Sequence, residues 1–385
     1  MLGKRICERL KQQEHAGLFR NPVPIRKRDQ KYLLTDYGRL LNFASNDYLG
    51  LGCSRILKNK VAANFQKFGS SSSSSRLVSG HYSTITEAEK AYATYFGYES
   101  ALFYPSGYQA NLGVLSAVFE KGDTLMVDKH VHASTVKGLQ LSNASFYGYN
   151  HNDMAHLEKR LRKHKSNITA VISEALFSMD GDFIDLEGFA RLKEKYNFFT
   201  IIDEAHSFGA VGKSGRGIAG DVADIAVGTF GKAMGLFGAM VLLPEQYRQF
   251  LLNFSSPMIY STTLPEAHGA SALDVLAMIE NSNEKRAHLA HVSRFMQSHL
   301  AENGFNTCGD AHIVALEIND ETKAVQLSKQ LFQKGVFVFP ARFPTVPLGK
   351  AILRISLTAL HDEADVKQFT SALKDVYAKI NKSTA

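Results

Sequence analysis

Four stretches of the chain share one pattern: a short apolar run, then polar or small residues, then apolar positions at helical spacing. They are "DTLMVDKHVHAS" from Asp123 to Ser134, "ITAVISEALFSMDGD" from Ile168 to Asp182, "FFTIIDEAHSFG" from Phe198 to Gly209 and "DIAVGTFGKAMG" from Asp224 to Gly235. Between them, "DMAHLEKRLRKHK" and "DLEGFARLKEKY" place apolar residues on one helical face. Apolar strands alternating with amphipathic helices predict an α/β fold, a mostly parallel central sheet covered by helices on both faces. Ligands of such sheets bind beyond the carboxyl ends of the strands. His132, Ser178, Asp203, His206 and Lys232 all fall at those ends.

The pattern changes toward the C-terminus. "HIVALEIND", "GVFVFPARFPTVP" and "AILRISLTAL" read as short strands with helices between and after them. They predict a smaller C-terminal α+β domain after a helical stretch near Leu273 to Leu300. Residues before about Leu40 read as a helix and an extended basic arm. The predicted division is 1–40, 41–272 and 273–385. "GSSSSSSRLVSG", Gly69 to Gly80, has the composition of a flexible linker yet lies inside the main domain.

Composition narrows the class. The chain has 385 residues, 45% hydrophobic and 21% charged, as in a soluble globular protein with a sizeable core. No apolar run reaches the roughly eighteen residues of a membrane span, so no membrane partner is expected. The opening "MLGKRICERLKQQEHAGLFR" lacks the apolar centre of a signal peptide. Cys7, Cys53 and Cys308 stand far apart without metal-ligand spacing, which predicts no metal and a reducing, cytoplasmic setting. Of the formal net charge of +7, most sits in the first forty residues, where ten Lys or Arg face four acids. That excess is either a solvated face or a means of attracting a polyanion. No zinc-finger spacing or RNA-binding sheet signature points to nucleic acid.

Two short motifs mislead. "DEAH", Asp203 to His206, matches a helicase acid motif, but a nucleoside triphosphatase also needs a phosphate loop. "GAVGKS" and "GTFGKA" keep only two residues between their glycines, too few to wrap a triphosphate.

Taken together, the strand-end residues suit an aldehyde cofactor such as pyridoxal phosphate. Lys232, set among small and apolar residues, can supply the amine, and burial lowers the pKa of such a lysine. Asp203 can face the ring nitrogen so that the ring accepts carbanion electrons. His206 can sit near the ring oxygen, and His132 in "HVHAS" can cover the ring face. Thr229, with Gly107 and Tyr108 of "PSGYQAN", offers a hydroxyl and backbone N–H groups to the phosphate.

At this point the chain resembles the α-oxoamine synthases, fold-type I pyridoxal phosphate-dependent transferases. The resemblance runs from "FASNDYLGL" through "DEAHSFGAVGKSGRG" and "GTFGKAMG" to "FPTVPLGKAILRISLTALH". It implies an acyltransferase that joins an amino acid to an acyl-CoA with loss of CoA and carbon dioxide. The pairing of "TFGK" with "FPTVP" is most similar to the member that takes L-alanine and a pimeloyl thioester, carried on CoA or on an acyl carrier protein. Members using glycine with acetyl-CoA or succinyl-CoA, or serine with palmitoyl-CoA, are the alternatives. The resemblance makes Lys232 the Schiff-base lysine, Asp203 and His206 the partners of ring nitrogen and oxygen, His132 the stacking residue and Ser178 a cofactor contact. Gly107, Tyr108 and Thr229 match phosphate-side positions. Arg354 in "LRISLTA" matches the arginine that holds the amino-acid carboxylate, while Arg20, Asn46 and Thr345 match substrate-side positions. "YSTTLP", with Ser261 and Thr262, resembles the segment reaching the neighbouring subunit's phosphate, which implies a homodimer with shared active sites.

One departure stands out. Relatives carry a glycine-rich turn where this chain has Ser70 to Ser75, with Arg76, Ser79 and Gly80 kept. Any position there that requires a positive φ is strained in serine.

Overall fold

The computed structural model describes residues 1–164 and 168–384; Lys165, the last residue of the "DMAHLEKRLRKHK" segment, lies outside them. The chain forms two compact units, one of residues 49–178 and 183–286, the other of 1–48, 179–182 and 287–385. Packing thus groups the first 48 residues with the C-terminal part, whereas the sequence pattern divides the chain linearly.

The larger unit is built on a seven-stranded sheet. Its order is Ser100–Tyr104, Ala239–Leu243, Ile225–Thr229, Phe199–Asp203, Ile168–Glu174, Thr124–Asp128 and Ser145–Tyr149. The strands from Ile225–Thr229 to Ser145–Tyr149 pair in parallel, and Ala239–Leu243 runs antiparallel to both its neighbours. The strands Ser100–Tyr104, Thr124–Asp128 and Ala239–Leu243 are buried at every residue, as two helix-covered faces require. Leu125, Val127, Ile172, Ile201, Val227 and Val241 pack with Val114, Leu115 and Leu139 of covering helices in one core.

The covering helices start where polar residues can cap them. Asp153 accepts the N–H of His156 and opens Met154–Lys163, and Asp185 accepts that of Gly188 and opens Leu186–Tyr196. Ser106 caps Gly107–Val118 in the same way, and a ring nitrogen of His132 caps Ala133–Leu141. Four predicted site strands, ending at Thr229, Asp203, Glu174 and Asp128, are consecutive neighbours in this sheet.

The smaller unit holds two four-stranded sheets. In one, Lys27–Asp29, Tyr32–Thr35 and Gly38–Asn42 form an antiparallel meander that takes Val336–Phe337 as a parallel fourth strand. The predicted extended arm is therefore sheet from Lys27 onward, folded back at Gln30 (φ 51°) and Gly38 (φ 119°). The other sheet pairs Thr307–Cys308, Ile313–Glu317, Ile352–Ser356 and Phe339–Ala341 antiparallel, matching the strands read from the C-terminal sequence. Lys31 binds Asp362 and Asp365 at 3.0 and 2.6 Å, tying the meander to the start of the Glu363–Thr384 helix. The first helix, Leu2–His15, buries no residue. Among the described residues no helix is long and apolar enough to cross a membrane.

Candidate active site

Asp203 ends its strand beside Glu174 and Val227, its register partners on the flanking strands. Its Oδ1 accepts the N–H of Ala205 at 2.9 Å and its Oδ2 accepts the side-chain amide of Asn111 at 2.8 Å. The same Asn111 nitrogen donates to Ser134 Oγ at 3.0 Å, and Ser134 Oγ lies 2.7 Å from Nδ1 of His132. The backbone N–H of Ser134 also reaches that nitrogen at 3.3 Å. His132 is held from behind as well, its own N–H donating to Glu174 Oε1 at 2.5 Å. Lys232 lies three residues past its strand, with Nζ 2.7 Å from Nε2 of the buried His206.

These groups perturb one another. Desolvation lowers the pKa of His132, with Asp203 opposing and Lys232 adding to the effect. Burial pushes Glu174 well above the ordinary carboxylate range and the charge of Asp203 adds to it, while Lys232 and the His132 N–H pull the other way. Glu174 is thus a buried acid beside Asp203, Lys232 and His132.

A second feature lies at the start of the Gly107–Val118 helix. Ser106 Oγ takes the N–H of Gln109, and Ser106 O that of Ala110. Helix geometry leaves the N–H groups of Gly107 and Tyr108 without an intrahelical acceptor. A Cβ built on Gly107 would lie 3.9 Å from Cβ of Thr229, so hydroxyl and helix start are side by side. Thr229 Oγ accepts the N–H of Gly231 at 3.2 Å and donates to Gly238 O at 3.0 Å. Ser178 is buried just past the Ile168–Glu174 strand.

The serine run is ordered and strapped to the Ser261–Thr262 segment. Ser75 bridges Thr262, Ser74 O accepts the N–H of Thr263 at 3.0 Å, and buried Ser72 Oγ donates to Thr263 O at 2.7 Å. One position does need a positive φ, Ser73 at 53°.

In the smaller unit, Arg354 is 5% exposed and its Nη1 donates to Asn46 Oδ1 at 3.2 Å and to Ser356 Oγ at 2.5 Å. Tyr48 donates to the same Asn46 oxygen at 3.1 Å. Burial pushes the Tyr48 hydroxyl up to about 12, against the opposing charge of Arg354. Arg20 and Thr345 are exposed. The unpredicted Arg342 gathers their segments, donating to Gly17 O and to Phe19 O and accepting the N–H of Thr345 on its carbonyl. The larger unit thus brings together Lys232, His206, Asp203 and His132. Sequence reasoning missed Asn111, Ser134, Glu174 and Arg342. The available signals were positional: Asn111 lies one turn beyond Gly107, and Ser134 two residues after His132.

This donor set fits pyridoxal phosphate. An amine beside an imidazole, a carboxylate fixed on both oxygens, an exposed imidazole at His132 and unpaired helix N–H groups beside a hydroxyl answer its aldehyde, pyridine and phosphate.

Comparison with known proteins agrees. The family described as aminotransferase class I and II matches residues 39–373. A Geotalea daltonii protein named 8-amino-7-oxononanoate synthase is 35% identical over 383 residues, 97% of this chain and 98% of that one. A serine palmitoyltransferase variant from S. paucimobilis, solved with a bound PLP–myriocin aldimine, superposes with a TM-score of 0.91 at 26% identity, covering 98% of this chain and 99% of that one. An 8-amino-7-oxononanoate synthase from Francisella tularensis does so with a TM-score of 0.77 at 29% identity, covering 89% of this chain and 99% of that one.

Proposed function

The chain belongs to the α-oxoamine synthases, pyridoxal phosphate-dependent acyltransferases within the class I and II aminotransferase family, and from that premise we propose that it condenses L-alanine with a pimeloyl thioester. The products are 8-amino-7-oxononanoate, the free thiol and carbon dioxide. The observation that carries this reading is the Lys232–His206 contact at 2.7 Å, in a chain 35% identical over nearly its whole length to a protein of that name.

The cofactor, when bound, is an electron sink for the pair released at the amino acid's α-carbon. The remaining work falls to this chain. Lys232 Nζ would hold the cofactor at rest through its amine; during turnover it takes the alanine α-proton and later returns a proton to the alanine α-carbon. With the cofactor bound, Asp203 would pair with its pyridine nitrogen, His206 would serve its ring oxygen, and Ser178 would contact it. Gly107, Tyr108 and Thr229 would hold the phosphate, and His132 would cover the ring and donate to the thioester oxygen as charge builds there. Arg354 takes the amino-acid carboxylate in a charge-assisted pair, with Asn46 fixing its guanidinium. Arg20 and Thr345 contact the acyl substrate. The new carbon–carbon bond joins alanine Cα to the thioester carbonyl carbon; the C–S bond breaks, and then the bond to the carboxylate.

The working form on this reading is a cytoplasmic homodimer in which Ser261 and Thr262 reach the phosphate bound to the partner subunit. The test crosses alanine, glycine and serine with pimeloyl-, acetyl-, succinyl- and palmitoyl-CoA and follows thiol release by the loaded protein. Release confined to alanine with pimeloyl-CoA is the expected result. Serine with palmitoyl-CoA is the second reading, favoured by the likeness to a serine palmitoyltransferase, and release there would replace the first. Silence with every CoA ester, but release from pimeloyl carrier protein, would move the donor and keep the reaction.

A further inference from the structure

We propose that Asn111 and Ser134 are positioning residues that hold His132 as the neutral imidazole with its proton on Nε2, and that they couple this choice to the orientation of Asp203. The inference rests on the reading above for what His132 does, but its geometry stands by itself. An asparagine amide nitrogen carries two hydrogens and no lone pair to accept with. Asn111 spends one hydrogen on Asp203 Oδ2 and the other on Ser134 Oγ. Turning the amide over would set its oxygen against the carboxylate oxygen of Asp203, so its direction is fixed. Ser134 Oγ, already an acceptor, has its own hydrogen left to give, and the atom 2.7 Å away is His132 Nδ1.

That nitrogen also faces the backbone N–H of Ser134. An Nδ1 that accepts from both cannot carry a proton, and a neutral imidazole then carries its one proton on Nε2. Desolvation acts in the same direction by disfavouring the imidazolium. The other tautomer would require Ser134 to turn its hydroxyl hydrogen away and would set an Nδ1–H against the Ser134 N–H, inside a site where Asn111 and Ser134 are 3% and 0% exposed. Glu174 holds the main chain at this point by accepting the His132 backbone N–H. With Nδ1 taken up by these contacts, Nε2–H is the group His132 offers a ligand. His132 is therefore built as a hydrogen-bond donor and not as a proton acceptor. A donor suits a thioester carbonyl oxygen on which negative charge grows.

The test is the nitrogen NMR spectrum of the pyridoxal phosphate-loaded protein labelled at histidine, the His132 signals being identified by their loss in His132→Gln. The expected spectrum has Nδ1 unprotonated and Nε2 protonated. Ser134→Ala should shift both signals toward a tautomer mixture and lower kcat by roughly tenfold with little change in KM, the loss of about one buried hydrogen bond. Ser134→Thr, which keeps the hydroxyl, should restore both. A proton on Nδ1 or on both nitrogens in the unmodified protein overturns the proposal without any variant having to fold. Unchanged shifts in Ser134→Ala overturn it as well. The shifts are read with no substrate present, so a wrong assignment of substrates would show in the thiol assay and leave this result intact.

Discussion

The strand ends around Lys232 and the serine run from Ser70 to Ser75 belong to the same unit, and both are polar, yet they are held in opposite ways. At the strand ends side chains hold one another: Asn111 reaches Asp203 and Ser134, Ser134 reaches His132, and Lys232 reaches His206. In the serine run mainly backbone is held, with Ser74 and Ser75 paired to Thr262 and Thr263 and Ser72 spanning two carbonyls. Residue type decides function in the first region, and backbone conformation decides fit in the second. Substitutions should therefore act on chemistry in one and on stability in the other.

The largest break of that contrast is Lys232→Ala. On the proposed reading it removes the amine that would hold the cofactor and move the proton, so thiol release should fall to background while the protein stays folded by circular dichroism. Turnover near the original rate would remove Lys232 from the mechanism.

The next effect falls directly after the serine run. Arg76 and Glu89 form a buried bidentate pair at 2.5 and 2.6 Å, and Glu89 also accepts the N–H of Phe103 at 2.8 Å. Truncating Arg76 leaves the buried Glu89 carboxylate with only the Phe103 N–H and Arg248, 3.8 Å away, to offset its charge. Arg76→Ala should lower unfolding stability by about 3–5 kcal/mol, read from the urea midpoint. Replacing both residues with apolar ones of similar volume should recover part of the loss, because the charge desolvation cost disappears while the Phe103 N–H loses its acceptor.

The same contrast explains what the sequence reveals. Runs such as "AVIS", "TIID" and "IAVG" can be buried on both faces only in a helix-covered sheet, so the parallel order and the strand-end positions of Asp203 and Lys232 were readable in advance. Asn111 and Ser134 were not, because an amide and a hydroxyl on helices look like any others until the fold brings the Gly107–Val118 and Ala133–Leu141 helices against Asp203. The serine run has a linker's composition, and its place inside the main domain raised the question of a positive φ, but composition could not say that Ser73 is the residue that takes it. The turns at Gln30 and Gly38 that make sheet of the N-terminal arm escaped for the same reason.

A subtler effect separates two adjacent acids of the first region. Asp203 faces the site, while Glu204 is fully buried and binds Ser207 Oγ and the N–H groups of Ile218 and Ala219, the latter at 2.7 Å. A Cβ on Gly217 would meet its carboxylate at 2.5 Å, so the loop closes tightly on it. Burial raises the Glu204 pKa from 4.5 to about 7, outweighing the hydrogen bonds to Ser207, Ala219 and Ile218. The folded state then keeps a proton that the unfolded state has released, so stability falls as pH rises from about 4.5 through about 7. Glu204→Gln should flatten that slope while Lys232 chemistry continues. Unfolding midpoints measured below pH ~5 and above ~7 check it; an unchanged slope would show that Glu204 does not set it.

The smallest effect tests the backbone side of the contrast most directly. Ser73 sits at φ 53°, and its N–H binds Ser71 Oγ at 2.9 Å. A left-handed conformation costs a residue with a Cβ roughly 1–2 kcal/mol, and glycine escapes that cost. Glycine also gives the unfolded chain more freedom, which takes back about 0.4–1 kcal/mol. The turn's backbone bonds survive the change, and only the 3.3 Å contact between the Ser73 and Ser71 hydroxyls is lost, at an exposed position. Ser73→Gly should therefore stabilise the protein by about 0.5 kcal/mol and leave turnover unchanged. Ser73→Ala keeps the strained φ and removes the hydroxyl, so it should gain nothing. If the two variants had equal unfolding midpoints, the φ of Ser73 would carry no cost, and the run would owe its place to its hydroxyls, as the strand ends owe theirs to side chains.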